Sequence, residues 1–304
     1  MTRMARIWDS DIVWSFRHSP VAIAAALVAL IIILAAALAP WIAPHDPFNP
    51  ATLNLMDGFT PPMEPNAFTG NVYLLGTDNQ GRDIFSTILY GARISLFVGF
   101  SAVLFAMVLG ISVGLLAAWR GGWADSVLMR IADVQLSFPS ILIALLIFGI
   151  ARGFIPPSMR EEMAIWVLII AIGLSDWVQF ARVVRGAAMV EKSREYVQAA
   201  RVIGVHPTRI VLTHILPNVM GPVLVIGTIG LALAIIAEAT LSFLGVGVPP
   251  TQPSLGTLIR IGQGYLFSGE WWIILFPSLA LLALALSVNL LGDWLRDALN
   301  PRLK

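Results

Sequence analysis

Six long stretches of the chain carry almost no charge, at residues 21–42, 94–119, 134–151, 163–181, 216–237 and 271–292. They are continuous apolar runs, not alternating ones, so they predict helices and not the strands of a barrel. A helix rising 1.5 Å per residue crosses a bilayer with about 20 apolar residues. Each run is near that length. The third is the shortest and has an amphipathic approach before it. The fourth carries one charge, Asp176. A seventh uncharged stretch, 239–259, holds Pro249, Pro250 and Pro253 among several glycines, which predicts a loop. Ala37-Leu38-Ala39 has the look of a signal-peptide cleavage site. The run before it outlasts the 7–15 residues of a signal core and follows a polar segment, so a retained anchor is expected.

Composition agrees with this pattern. Hydrophobic residues make up 58% and charged residues 12%, against about 25% charged in soluble domains. The mean hydropathy is +0.82. Two water-soluble domains, the ordinary reading of 304 residues, are excluded. The expected class is an all-α integral membrane protein with six transmembrane helices. A net charge of +1 gives no sign of nucleic-acid binding. The lack of cysteine removes disulfides, thiolate metal sites and a cysteine nucleophile.

Lysine and arginine set the expected direction. Fourteen of the 19 fall on the side of the N-terminus, including Arg3, Arg6, Arg302 and Lys304, and five fall on the other. Both termini are therefore expected inside. The chain then divides into a cytoplasmic segment (1–20), a first anchor (21–42), an extracytoplasmic loop (43–93), a five-helix core (94–292) containing a cytoplasmic loop (182–214), and a cytoplasmic tail (293–304).

That cytoplasmic loop is basic and has helical periodicity. Tyr196, Ala199, Ala200 and Ile203 share a face by their three-to-four spacing. Gly204 sits where a helix stops, and Pro207 suits the first turn of a second helix running toward Leu216-Pro217. A short helix with a small-residue face fits a groove on a partner. It equally fits the bilayer surface, with its arginines toward anionic lipid.

The segment resembles the cytoplasmic signature of ABC importer permeases: Glu-Ala-Ala, three residues, Gly, nine residues, Ile, one residue, Leu-Pro. Here it reads Gln198-Ala199-Ala200, Gly204, His214 and Leu216-Pro217. Gln198 replaces the acid and His214 the isoleucine, and Glu195 lies one turn before Gln198. Leu75-Gly76-Thr77-Asp78 with Gly81-Arg82-Asp83, Tyr90-Gly91-Ala92-Arg93, Leu241-Ser242-Phe243-Leu244-Gly245 and Gly292-Asp293 resemble the second permease of the dipeptide/oligopeptide/nickel branch. The resemblance implies a type I importer permease fold in a bacterial inner membrane. It implies an ATPase-coupling role for Glu195, Tyr196, Val197, Gln198, Ala199, Ala200 and Gly204. The implied partners are a homologous permease, two ATPase subunits and an extracytoplasmic binding protein. No cofactor is expected in this chain, with ATP and magnesium on the ATPases. Asp78, Arg82 and Asp83 would face the binding protein.

Other motifs carry less. No P-loop occurs, so ATP is not expected to bind here. Gly110-Ile111-Ser112-Val113-Gly114 matches a hydrolase elbow, yet it lies mid-span and no histidine shares its depth; a small-residue helix contact is the expectation. An intramembrane serine hydrolase is the enzyme alternative, and an ion-coupled secondary transporter using Asp176 and Glu238 is the transport alternative. Asp176 and Glu238 are otherwise candidates for structural or gating roles, with Arg182 as a local partner for Asp176 and interfacial water for Glu238. Asp83 is expected to cap a helix from Ile84. Trp271-Trp272 reads as an interfacial anchor.

Overall fold

The computed structural model describes residues 11–49 and 53–298. Arg3, Arg6, Arg302, Lys304 and the first ten residues of segment 1–20 lie outside the described residues, as do the last six residues of the tail. The described chain is helical: α1 (Asp11–Arg17), α2 (Pro20–Ala37), α3 (Ala39–Ile42), α4 (Ile84–Arg120), α5 (Gly122–Leu136), α6 (Ser140–Phe154), α7 (Arg160–Lys192), α8 (Glu195–Val202), α9 (Pro207–Phe243), α10 (Leu255–Gln263) and α11 (Trp272–Ala298). Among the described residues the only β-type pairings are two isolated bridges, Pro65–Val72 and Thr77–Asp83.

Helices α2, α4, α7, α9 and α11 are each long and apolar enough to cross a membrane. A sixth span results if α5 and α6 count as one broken crossing, bent by 98°. The expected span at 134–151 is thus interrupted, with the amphipathic approach before it forming α5. Pro139 cannot donate a backbone N–H and pushes Phe138 out of helical geometry, so the apolar run is cut at residues 137–139.

Local chemistry sets the helix ends. Ser19 accepts from the Ala22 N–H, and Pro20 opens α2. Asp83 accepts from the backbones of Phe85 and Ser86 and so starts α4, ten residues before the charge-free run. Residues 84–93, the last part of the stretch expected as a loop, are therefore helical. Helix α4 has 37 residues, a length of about 55 Å against a hydrocarbon thickness of about 30 Å. It projects beyond the bilayer. Helix α9 begins at Pro207, nine residues before the expected span, and passes through a π-helical segment, Val211–Ile215. Pro217 has no N–H for the Thr213 carbonyl, and the ladder widens just before it.

Stretch 239–259 is not a simple loop. Helix α9 continues through Phe243, and α10 begins at Leu255 after a Ser254 cap that accepts from the Thr257 N–H at 3.3 Å. A Cβ on Gly256 would come 2.3 Å from the Ala239 carbonyl oxygen, so glycine here lets α10 lie directly on α9.

The core centres on α4 against α7. A Cβ on Gly110 would approach Phe180 Cβ to 2.5 Å, one on Gly114 the Ala181 oxygen to 2.5 Å, and one on Gly173 the Phe105 ring to 2.5 Å. The two backbones thus meet through glycine, as small residues permit inside a bilayer. Ser112 lies between the two α4 glycines and donates to the Val108 carbonyl at 2.7 Å. Each described histidine makes its contacts elsewhere: His18 with Trp14, His45 with Ser86 and Tyr73, His206 with Thr208, His214 with Thr213 and Tyr196. The serine-hydrolase alternative gains no support.

Candidate functional site

Helix α8 packs where α4 and α7 end and α9 begins. Val197 and Ala200 point into the main core, at 0% and 5% exposure, whereas Tyr196, Ala199 and Ile203 face outward. This corrects the expected face: Ala200 belongs to the anchoring side and Val197 joins it. The helix closes in a Schellman turn. The Gly204 N–H donates to Arg201 O at 3.0 Å and the Val205 N–H to Ala200 O at 3.0 Å. Gly204 has a φ of +81°, a left-handed conformation that favours glycine.

Both ends of α8 are tied to long helices. At its start, the Tyr196 hydroxyl donates to the Glu191 carboxylate of α7 and accepts from Asn218 Nδ2 of α9 at 3.1 Å. The Tyr196 ring stacks on His214, centroids 6.3 Å apart. The hydrogen bond to Glu191, with burial second, raises the Tyr196 hydroxyl pKa above its ordinary value. At its end, the Arg201 guanidinium lies 4.6 Å from the centroid of Trp119 on α4. Lys192 Nζ donates to the carbonyls of Ala118 and Trp119 at 2.8 Å each, closing the C-terminus of α4. Gln198, the residue in the acid's place, donates to the Lys192 carbonyl at 3.1 Å and so points back into its own chain. Glu195 is exposed on the outward side. Val202 and Ile203 are 87% and 77% exposed, leaving an apolar tip uncovered.

Trp119, Lys192, Arg201 and Asn218 were not singled out from sequence. Trp119-Arg120 at a span end reads equally well as a membrane anchor. Only the chain reversal 192–207 brings these residues together.

The opposite end of α4 carries the long loop before it, which forms a cap. Asp57 is 2% exposed and is the hub of this cap. It accepts from the Thr69 hydroxyl, from Asn71 Nδ2 at 3.1 Å and from the Tyr73 hydroxyl at 3.0 Å. Asp78 and Arg82 form a buried ion pair at 2.6 Å, and Asp83 caps α4. These contacts build the loop and the start of α4 around all three residues. Trp272 also departs from expectation. It is 7% exposed and donates its indole N–H to Thr77 O at 3.0 Å, so it fastens α11 to the cap and does not face the lipid interface.

Glu238 is fully buried, which replaces the expected contact with interfacial water. It accepts from Ser95 of α4 and Ser242 of α9 at 2.7 Å each, and Ser95 Oγ accepts from the Leu255 N–H that opens α10. One carboxylate thus joins three helices. Asp176 lies on a small cleft between α4, α7 and α9 that Gln179 and Gly230 also line. Arg182, its expected partner, instead pairs with Asp133 at 3.1 Å.

Comparison with known proteins gives a consistent picture. Residues 107–304 match the family model described as binding-protein-dependent transport system inner membrane component. Residues 7–62 match that of the N-terminal transmembrane domain of oligopeptide transport permease C. The dipeptide transport system permease protein DppC of Haemophilus influenzae is 37% identical over 95% of this chain and 93% of its own. The oligopeptide transport system permease protein OppC of Bacillus subtilis is 35% identical over 98% of this chain and 90% of its own. Among solved structures, an inward-facing MetNI methionine ABC transporter chain shares the fold with a TM-score of 0.53. It is 20% identical and covers 70% of this chain and 96% of its own.

Proposed function

The chain belongs to the family of binding-protein-dependent transport system inner membrane components, and from that premise we propose that it is a permease subunit of an ATP-driven importer of short peptides or similar small solutes. It performs no bond chemistry itself. Its partners are a second homologous permease, two ATPase subunits that hold ATP and magnesium, and an extracytoplasmic binding protein. It resides in the bacterial inner membrane with α8 and both termini in the cytoplasm and the cap around Asp57 outside.

The observation that carries this reading is the construction of α8. Its inner face is anchored by Val197 and Ala200, its two ends are tied to α4, α7 and α9, and its outer face and apolar tip are left bare. A helix lying on lipid would not need these ties to three long helices. A helix that receives force does. When the ATPases close, they draw on the bare face, and the ties pass the displacement to the long helices. The two permease states must bind the ATPases unequally for this to do work.

The test is co-purification in mild detergent, with a cysteine at Ala199. The expected result is capture of an ATPase subunit and a crosslink from Ala199→Cys to a cysteine in that subunit's cleft. Failure to crosslink across a full scan of residues 196–205 rejects the docking role. Solute uptake by the isolated chain, driven by an ion gradient, would support the secondary-transporter alternative.

A further inference from the structure

A cavity of about 160 Å³ opens at the outer end of the molecule, between the end of α6, the start of α7 and the 244–254 loop. Its charged lining is Arg152, Arg160, Arg260 and Glu161. Three arginines line it beside one acidic residue. None of the four takes part in an ion pair among the described residues. Glu161 instead accepts from the Thr251 hydroxyl at 3.5 Å.

Two of the arginines are held in place by backbone. Arg160 Nε donates to Ile155 O at 3.2 Å, which orients the guanidinium and leaves its two terminal nitrogens free of that bond. Arg260 lies flat on Gly245. A Cβ there would come 2.5 Å from Nη1, 2.7 Å from Cζ and 2.9 Å from Nη2. Gly245 has a φ of +80°, so both its conformation and the space above it call for glycine. The fixed Arg260 plane and the exposed Arg152 stand at a concave mouth open to solvent. A planar guanidinium presents paired donors that match the two oxygens of a carboxylate.

We propose that this cavity binds the carboxylate of a small solute, specifically the C-terminal carboxylate of a short peptide entering the transporter; the identity of the solute rests on the importer reading above. Arg152 and Arg260 bind the carboxylate, Arg160 adds positive potential behind it, and Gly245 positions Arg260.

The experiment uses the complete four-subunit complex in nanodiscs without binding protein, so that the binding protein's own selectivity plays no part. The probes are Ala-Ala and its C-terminal amide, titrated by saturation-transfer NMR. Ala-Ala is expected to bind at least about tenfold more tightly than the amide, given the strength of hydrogen bonds to charged groups. Arg260→Gln and Arg152→Gln should each erase most of that preference, and Arg260→Lys should keep part of it. Arg152 is exposed, so Arg152→Gln leaves the packing alone. Equal binding of acid and amide, or an acid preference that survives both glutamine variants, overturns the proposal. So does intact Ala-Ala binding combined with loss of binding-protein capture in the variants, because the occupant would then be an acidic protein side chain. ATP-driven peptide uptake by the wild-type complex with its binding protein is measured separately. Its absence would sink the importer reading alone, and an arginine-dependent acid preference would still establish the site.

Discussion

Asp57 and Tyr73 show how single side chains hold the outer cap. Burial pushes the Asp57 carboxyl upward, but hydrogen bonds from Thr69, Asn71 and Tyr73, with the charge of His45, outweigh it and hold its pKa below the ordinary 3.8. The folded cap therefore prefers the ionised form. That stabilisation is complete above pH 3.8 and is lost as pH falls through the depressed folded value. Tyr73 moves the other way, to about 12, through burial first and then the bond to Asp57. Its contribution is complete below pH 10 and is lost between 10 and about 12 as the unfolded phenol ionises first. Asp57→Asn should remove the acid limb and cost about 1–3 kcal/mol of cap stability, since it weakens three hydrogen bonds at one buried group. Limited proteolysis of residues 43–83 across pH measures this. An unchanged acid limb in the variant would assign it to another carboxylate.

At the level of elements, two glycines make opposite predictions. Gly114→Val places a branched side chain where even a Cβ would sit 2.5 Å from the Ala181 oxygen, so α4 and α7 must separate. Assembly should fail, read as loss of the monodisperse peak in detergent chromatography. Gly204→Val meets nothing within 4 Å but must hold a φ of +81°. Its cost is backbone strain of about 1–3 kcal/mol, so the protein should assemble while transport per ATP falls. Wild-type coupling in Gly204→Val would show that the turn tolerates reshaping. The same elements show what could be read from sequence. The Asp83 cap, the Gly204 stop and Pro207 at a helix start were legible because each acts on its immediate neighbours. The break at Pro139 was written in the chain but hidden by counting hydrophobicity across it. Helix α10 was obscured by the prolines just before it, although Ser254 signals its start. The burial of Glu238 was not legible, because Ser95 lies 143 residues away and only folding brings it near.

Over the whole molecule, α4 joins the two ends. Its first turn is fixed to the cap by Asp83, its Ser95 meets Glu238, and its last residues meet Lys192 and Arg201. Phe16 packs on Trp294, so the described ends of the chain lie together. Trp119→Ala removes the ring under Arg201, a contact of roughly 0.5–2 kcal/mol. The complex should still hydrolyse ATP but move several-fold less solute per ATP, measured in proteoliposomes with the binding protein enclosed. Unaltered stoichiometry would place force transfer in the Tyr196 tie alone. The widened turn at Val211–Ile215 bears on the same question. It sits in α9 between Pro207 and Pro217, immediately after α8 and beside the Asn218 contact. An α-helix with an intact ladder behaves as a stiff rod, and the ladder of α9 is interrupted at this end. On the importer reading proposed above, α9 would be the compliant joint of the machine: a stroke arriving from the nucleotide side would be taken up as a bend there before it tilts the remainder of the shaft.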